Sequence, residues 1–369
     1  MASLLKRGDV YYAQYYVGKR QKRACLNTGI LQIAKEKIRD IESALFKGAS
    51  IPLPTKTTLG KVVEAYVLHM QTTKTADSAK KDISYLREVF GPVCPSLAIK
   101  NNKNSEKAHK HPFRNAIEVS YFEQVTTEQV SSFISAKVRE RGIAPKTANR
   151  YREILTRLYN WAMTQNGINM PGNINPAAKV ERYKERTPEI TFLMTEHIQE
   201  QLKVHEDKMQ LQVMVAMYIF AGLRREEALW LTLADVDLKD GMLRIRAKTI
   251  NGRFWEPKTK DNRVVPISTS LRKYLDRYVP VPTSEGWFFT SPKGCQWNPD
   301  NFSHALSEAN KDAGLEWTCL DYRHTFGSHL AMKGESLYKI SKLMGNSPEI
   351  CRRHYAALMP DSMIQSVEF

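Results

Sequence analysis

The stretch from Asp321 to Tyr355 limits what this chain can fold into more than any other. Asp321-Tyr322-Arg323-His324-Thr325-Phe326 opens a helix expected over 321–333, and a second short helix is expected over 336–344. The chain then turns at Leu343-Met344-Gly345-Asn346-Ser347 and enters a third helix, 348–358, carrying Arg352-Arg353-His354-Tyr355. That last helix has a well-formed start. Ser347 can cap it, Pro348 suits the first helical position, and Glu349 suits the positive helix end. An arginine, a small Gly-Asn-Ser turn and a tyrosine are thereby set at fixed helical distances. A guanidinium that grips a phosphate near a phenol is the minimal set of groups for breaking a phosphodiester without a metal.

The rest of the chain suits a polyanionic partner. Lys+Arg number 55 against 39 Asp+Glu, a formal net charge of +16, which favours nucleic acid over a membrane surface. The 369 residues allow two or three domains. No apolar run reaches the roughly eighteen residues of a membrane helix, and MASLLKRGDVYYAQ at the start lacks the apolar stretch of a secretory signal. Cys25, Cys94, Cys295, Cys319 and Cys351 are scattered without a CxxC pair, and the histidines form no HExxH spacing. These are reduced thiols of a cytosolic protein, not a disulfide framework or a zinc site; no metal is expected.

The expected fold class is mainly α with small β-sheets (α+β). Residues 9–17, DVYYAQYYV, and 24–29 read as a small antiparallel sheet around the basic turn Lys19-Arg20-Gln21-Lys22-Arg23. A helix over 31–47 packs on it through Ile33, Ile38, Ile41 and Leu45. Alternation puts Tyr12 and Tyr16 on one face of the strand, Tyr11 and Tyr15 on the other; one face is core, and the other lies beside the basic turn. Pro52 and Pro54 mark a linker. Helices are then expected over 59–71, 77–90, 127–140 and 145–166, with the polar, basic segment 98–116 as a solvated loop. The helix at Lys146-Thr147-Ala148-Asn149-Arg150-Tyr151-Arg152 offers Lys146, Asn149, Arg150 and Arg152 to phosphates, while Ile154, Leu158 and Trp161 are core. Asn175-Pro176 and the charged run 179–186 form a hinge. Beyond it, helices are expected over 195–204, 207–220 and 300–313, a further stretch over 225–232, and a strand pair around 242–267. No internal repeat is present.

Two further islands carry chemistry. In Ala221-Gly222-Leu223-Arg224-Arg225-Glu226-Glu227, Gly222 ends one helix and Arg224 stands at the start of the next, where free N–H groups favour an anion. In Glu256-Pro257-Lys258-Thr259-Lys260-Asp261-Asn262-Arg263-Val264-Val265-Pro266-Ile267, Lys258 lies near a hairpin turn and Val264 to Ile267 form the returning strand.

Together these islands resemble the tyrosine recombinases of the phage-integrase type. The resemblance places the family's two arginines on Arg224 and Arg323, its hairpin lysine on Lys258, its later His/Trp position on Asn346, and its nucleophile on Tyr355. The intervals agree: nine residues from Asn346 to Tyr355, twenty-three from Arg323 to Asn346, and eight from Lys258 to Pro266. Glu227 matches an acidic position that supports the first arginine. The resemblance implies three domains: an arm-site DNA-binding sheet-plus-helix over 1–55, a helical core-site DNA-binding domain over 56–182, and a mixed, mainly helical catalytic domain over 183–369. It also implies strand cleavage through a 3′-phosphotyrosyl bond, with a free 5′-hydroxyl and no ATP, metal or other cofactor. The partners implied are double-stranded DNA at core and arm sites, a homotetramer on DNA, and accessory DNA-bending or directionality factors. The second and third domains would close on the duplex as a clamp. Lys19, Arg20, Lys22 and Arg23 would meet the arm site. The compartment implied is cytoplasmic and nucleoid-associated, in a prokaryote or encoded by a phage. The competing readings are a catalytically silent sequence-specific DNA-binding protein and a type IB topoisomerase.

Two positions depart from the family pattern. Leu320 stands where the family has a histidine before the second arginine, and it cannot transfer a proton. Asn346 can still hydrogen-bond a phosphate oxygen. The Tyr355 proton must then leave through water, the phosphate or a neighbour. His324 and His354 adjoin the key residues in sequence, but adjacent helical residues point about 100° apart, which assigns both a structural place. Met363, Ile364, Val367 and Phe369 suit either docking on a neighbouring protomer or packing at home.

Overall fold

The structure is a computed structural model. It describes residues 2–17, 20–47, 53, 55–94, 97, 115–185 and 190–359. Lys19, Pro52, Pro54, Arg186, residues 98–114 of the basic segment and the apolar tail residues Met363, Ile364, Val367 and Phe369 lie outside the described residues. The chain divides into two compact units, 1–187 and 188–369.

The first unit contains two separate cores. Strands β1 (Ser3–Arg7), β2 (Val10–Val17) and β3 (Arg20–Cys25) form an antiparallel sheet in the order β1-β2-β3, and α1 (Leu31–Phe46) packs on it. Ala13, Tyr15 and Leu26 meet Ala34, Ile38 and Ile41, with Tyr11 and Leu45 at the margin. The alternation in β2 therefore resolves as expected: Tyr11 and Tyr15 face the helix, and Tyr16 is exposed. Ile33, expected on the buried stripe, is exposed; Ala34 takes that place.

The second core joins α2 (Leu59–Thr73), α3 (Ala76–Phe90), α4 (Thr127–Arg141) and α5 (Pro145–Gln165). Thr126 and Gln129 form a capping box at the start of α4, and Gly142 ends that helix at φ 60°. Val63, Leu86, Phe133, Ile154 and Leu158 fill the interior. Trp161 sits at its edge, stacked on His69. After α5 the chain is tied back: Asn175 Nδ2 donates to the Thr156 carbonyl at 3.0 Å, and Asn175 Oδ1 accepts from the Ala177 amide at 2.9 Å.

The second unit is built around α7 (Met209–Ala221), which is apolar on every side and almost wholly buried. Around it lie α6 (Thr195–Val204), α8 (Arg225–Leu229), α9 (Thr269–Leu275), α10 (Pro299–Lys311) and α11 (Cys319–Met332). Strands β4 (Val236–Asp237), β5 (Met242–Ile245) and β8 (Arg263–Pro266) form an antiparallel sheet in the order β4-β5-β8. The strand pair expected around 242–267 is more elaborate than alternation suggested. A second hairpin, β6 (Lys248–Ile250) and β7 (Arg253–Trp255), is inserted between the paired strands. Its turn at Asn251-Gly252 has positive φ at both residues, the conformation two-residue hairpins favour. Further along are α12 (Leu337–Met344) and α13 (Pro348–Tyr355), which share a small core of Ala331, Ile340, Met344, Cys351 and Tyr355. The final helix stops at Tyr355 and continues as a 3-10 turn over Ala356–Leu358.

Candidate active site

The site grows from the ends of short helices. Gly222 terminates α7 at φ 61°, a left-handed conformation that favours glycine. A Cβ there would lie 2.4 Å from the Phe326 ring. This turn puts Arg224 at the N-cap of α8, where Glu227 reaches back to accept its backbone N–H at 2.7 Å. Glu227 also accepts from Arg224 Nη1 at 2.8 Å. Its carboxylate is 2 % exposed and stands among three guanidiniums. Arg263 donates to both of its oxygens, at 2.8 and 2.6 Å, and Arg323 Nη1 lies 3.8 Å away. Burial acts to raise the Glu227 pKa, but hydrogen bonds from Arg263 and the charges of Arg263, Arg224 and Arg323 hold it down at about 2. One carboxylate against three guanidiniums leaves the cluster net positive.

Arg323, on the first turns of α11, is buried and braced by backbone. Its Nη1 donates to the Gly222 carbonyl, and Nη2 donates to the Met344 carbonyl at 2.6 Å. Burial, then the charge of Arg224, pulls its pKa down to about 9, so it still carries its charge at neutral pH. Gly345 turns the chain at φ 64°, where a Cβ would lie 2.9 Å from Arg263 Nη1. The turn delivers Asn346, whose Oδ1 accepts from Arg224 Nη2 at 2.7 Å and from Arg323 Nη2 at 3.0 Å. Two guanidiniums from distant parts of the chain thus aim at one oxygen atom. Such paired forks are geometries for gripping a phosphate.

Tyr355 ends α13 with its ring fully buried. It rests on Gly327, where a Cβ would fall 2.5 Å from its Cζ and 2.7 Å from its Oη. Its hydroxyl is 2.9 Å from His324 Nδ1. Burial raises the pKa of this phenol well above its ordinary value, while Arg323 pulls the other way. Burial, then the nearby His354 and Arg323, lowers His324 to about 4. The two imidazoles are 5.6 Å apart between centroids.

The remaining expected residues are placed as follows. Lys258 is exposed on the turn between β7 and β8, and makes no hydrogen bond or ion pair among the described residues. Leu320 is 60 % exposed on the first turn of α11. Arg20, Lys22 and Arg23 are exposed on β3. Arg23 Nε donates to Gln14 at 2.9 Å, and it shares a sheet face with Tyr12 and Tyr16, opposite Lys22. On α5, Lys146 is exposed, whereas Arg150 is paired with Asp82 at 2.6 Å. Asn149 is buried, donating to the Tyr183 carbonyl and to Glu185. Arg152 ties down the Val180 and Ala178 carbonyls.

Reading the sequence missed two members of the site. Arg263 is one of them; its signal is that it lies two residues from the buried Val265, on the same inward face of β8. Helical spacing gives His324 a structural place because it points away from Arg323. It does so, but Tyr355 lies on that other face, over Gly327, one helical turn from His324. The small side of Gly327 was the signal that could have located the ring.

Known proteins resemble this chain in sequence and in fold. Residues 190–360 match the phage integrase family. The chain is 24% identical over 271 residues to tyrosine recombinase XerC of Thermodesulfovibrio yellowstonii, covering 68% of this chain and 85% of that protein. It is 26% identical over 197 residues to the integrase of Haemophilus phage HP1, covering 53% of this chain and 52% of that protein. In fold it is similar to the Tn1549 transposon integrase solved with circular-intermediate DNA (TM-score 0.65, 15% identity, 85% of this chain and 99% of that one). It is also similar to a lambda integrase dimer solved on a core site (TM-score 0.61, 16% identity, 99% and 96%). Arg224, Arg323 and Tyr355, gathered in one cluster, lie within residues 190–360, the stretch that matches the phage integrase family.

Proposed function

We propose that this site-specific recombinase cuts and rejoins DNA with Tyr355 as nucleophile, Arg224 and Arg323 as the phosphate clamp, and Lys258 as the acid for the departing 5′-oxygen. Asn346 would add a hydrogen bond to the phosphate, and Glu227 would hold the arginines. The observation that carries this reading is the convergence of Arg224 and Arg323 on the single oxygen Asn346 Oδ1. Charge building on the non-bridging oxygens needs donors fixed in advance, and a donor of this sort lowers the barrier by roughly 3–4 kcal/mol. In the step itself, the Tyr355 oxygen bonds to phosphorus as the bond to the 5′-oxygen breaks, and that oxygen takes a proton. The energy is kept in the phosphotyrosine, so a second strand's 5′-hydroxyl can reverse the step without ATP.

Double-stranded DNA is the partner this reading requires, and the +16 charge supports it. The related lambda integrase has been solved as a tetramer on a Holliday junction; we extend that assembly to this chain, with arm contacts over 1–55, core contacts over 56–182 and catalysis over 183–369. On the arm unit, Arg23, Tyr12 and Tyr16 share one face with which to meet DNA. The reaction so assigned integrates or excises a mobile element, with accessory DNA-bending factors setting its direction. The test is a nicked duplex carrying the element's own junction: wild-type protein should form a covalent protein–DNA adduct resistant to denaturation. No adduct on the correct site would refute the assignment, and relaxation of any supercoiled plasmid regardless of sequence would favour a type IB topoisomerase.

A further inference from the structure

The recombinase chemistry leaves one group unassigned, the one that receives the proton of Tyr355. A phenol attacks phosphorus only as its proton departs, and its burial opposes spontaneous ionisation. The position at which the family places a histidine holds Leu320, which is exposed and has no proton-accepting atom. Asn346 is committed to Arg224 and Arg323, and an amide is a poor base. His354 makes no hydrogen bond to the phenol, its ring centroid being 6.1 Å from that of Tyr355. Among the described residues His324 is the one imidazole in contact, with Nδ1 at 2.9 Å from the Tyr355 hydroxyl, inside the reach a general base requires.

The surroundings fix this contact from both sides. Gly327, one turn further along α11, leaves no side chain between the helix and the phenol ring. Arg323, the residue just before His324, points to the clamp instead. One helix thus presents the phosphate grip on one face and the imidazole on the next. The charged and titratable neighbours that act on His324 are His354 on α13 and Arg323 and Asp321 on α11. Burial, then His354 and Arg323, outweigh the opposing pull of Asp321 and keep the ring neutral at pH 7, with a lone pair to offer.

We propose that His324 is the proton acceptor for Tyr355, substituting for the histidine absent at position 320. This rests on Tyr355 being the nucleophile. In the tautomer protonated at Nε2, Nδ1 accepts the hydroxyl hydrogen bond. As the tyrosine oxygen bonds to phosphorus, its O–H bond breaks and an N–H bond forms at Nδ1, giving an imidazolium. The bond from phosphorus to the 5′-oxygen breaks, and that oxygen takes its proton from Lys258. In the rejoining step the imidazolium returns its proton to the tyrosine oxygen.

The test compares two nicked substrates, one ordinary and one with sulfur in place of the bridging 5′-oxygen, whose thiolate leaves without an acid. Wild type should form adduct on both; none on either would overturn the nucleophile assignment itself. His324→Gln should bind DNA normally and cleave about 10²-fold or more slowly on both substrates, whereas Lys258→Ala should recover on the sulfur substrate. Replacing Tyr355 by a ring-fluorinated tyrosine, a stronger acid, should restore most of the rate in His324→Gln and little in Lys258→Ala. Unchanged cleavage by His324→Gln, rescue by sulfur, or no rescue by fluorination would each overturn the proposal. If His324→Gln fails to bind DNA, His324→Asn is read by the same criteria.

Discussion

Arg263 holds both oxygens of Glu227, with Nη1 2.8 Å from Oε1 and Nη2 2.6 Å from Oε2. This buried pair joins strand β8 to helix α8 and sets the carboxylate that positions Arg224. Removing one partner strands buried charge. Glu227→Ala should therefore destabilise the protein by about 3–5 kcal/mol in urea unfolding, with Arg263→Ala nearly as costly. A loss near the ~1 kcal/mol of a surface pair would show that the cluster is not carrying the fold.

The same carboxylate makes stability depend on acidity. Its folded pKa of about 2 lies below the ordinary 4.5, so its contribution is present above pH 4.5 and is lost as pH falls toward 2. His324 acts in another window. Its folded pKa of about 4 lies below the ordinary 6.5, so the unfolded chain binds the extra proton and stability falls between 6.5 and 4. Melting temperatures of wild type and Glu227→Gln across pH 2 to 7 should converge at the acid end while both keep the upper-window decline. A wild-type curve flat between 6.5 and 4 would contradict the neutral, buried His324.

Arg224→Ala should slow adduct formation by roughly 10²–10³-fold, the usual loss for one preorganised donor. Tyr355→Phe should keep DNA binding, since among the described residues the lost hydroxyl hydrogen-bonds only to His324, and should form no adduct. Any adduct in that variant, seen on a denaturing gel, would refute the nucleophile.

Leu320→His tests the departure at the family's histidine. Because Leu320 is 60 % exposed, the change should shift stability by no more than about 0.5 kcal/mol. Cleavage should be kept or raised. A large drop in melting temperature would mean that the leucine is packed after all.

Gly327→Ala puts a methyl into the phenol ring, 2.5 Å from Tyr355 Cζ and 2.8 Å from Met344 Sδ. We expect about 1–3 kcal/mol of destabilisation from overpacking and a slower adduct, because Tyr355 must leave His324. An active, equally stable variant would show that the ring has room to shift.

Local sequence was a good guide where one signal governs. The helices from α2 to α5 run within two residues of the spans their periodicity gave, and Ser347 and Pro348 start α13 as expected. The β6–β7 hairpin was harder to read, because two- and three-residue strands hold too few alternations to stand out. On α5, spacing alone offers a basic face to phosphates. Folding commits Arg152 to backbone carbonyls and Asn149 to the interior, a distinction that no spacing carries.

By itself the sequence determined the family pattern: Arg224, Lys258, Arg323, Asn346 and Tyr355 in order and at matched intervals, with a leucine where a histidine belongs. Those are covalent facts, read along one dimension. Only the tertiary structure decided which atoms meet. It turned Arg224 and Arg323, far apart in the chain, onto one oxygen, recruited Arg263 to Glu227, and laid the Tyr355 ring on Gly327 against His324. Contacts of that kind depend on where helices end and which faces pack. They are set by burial and backbone turns at Gly222 and Gly345, not by the identities of neighbours in the chain.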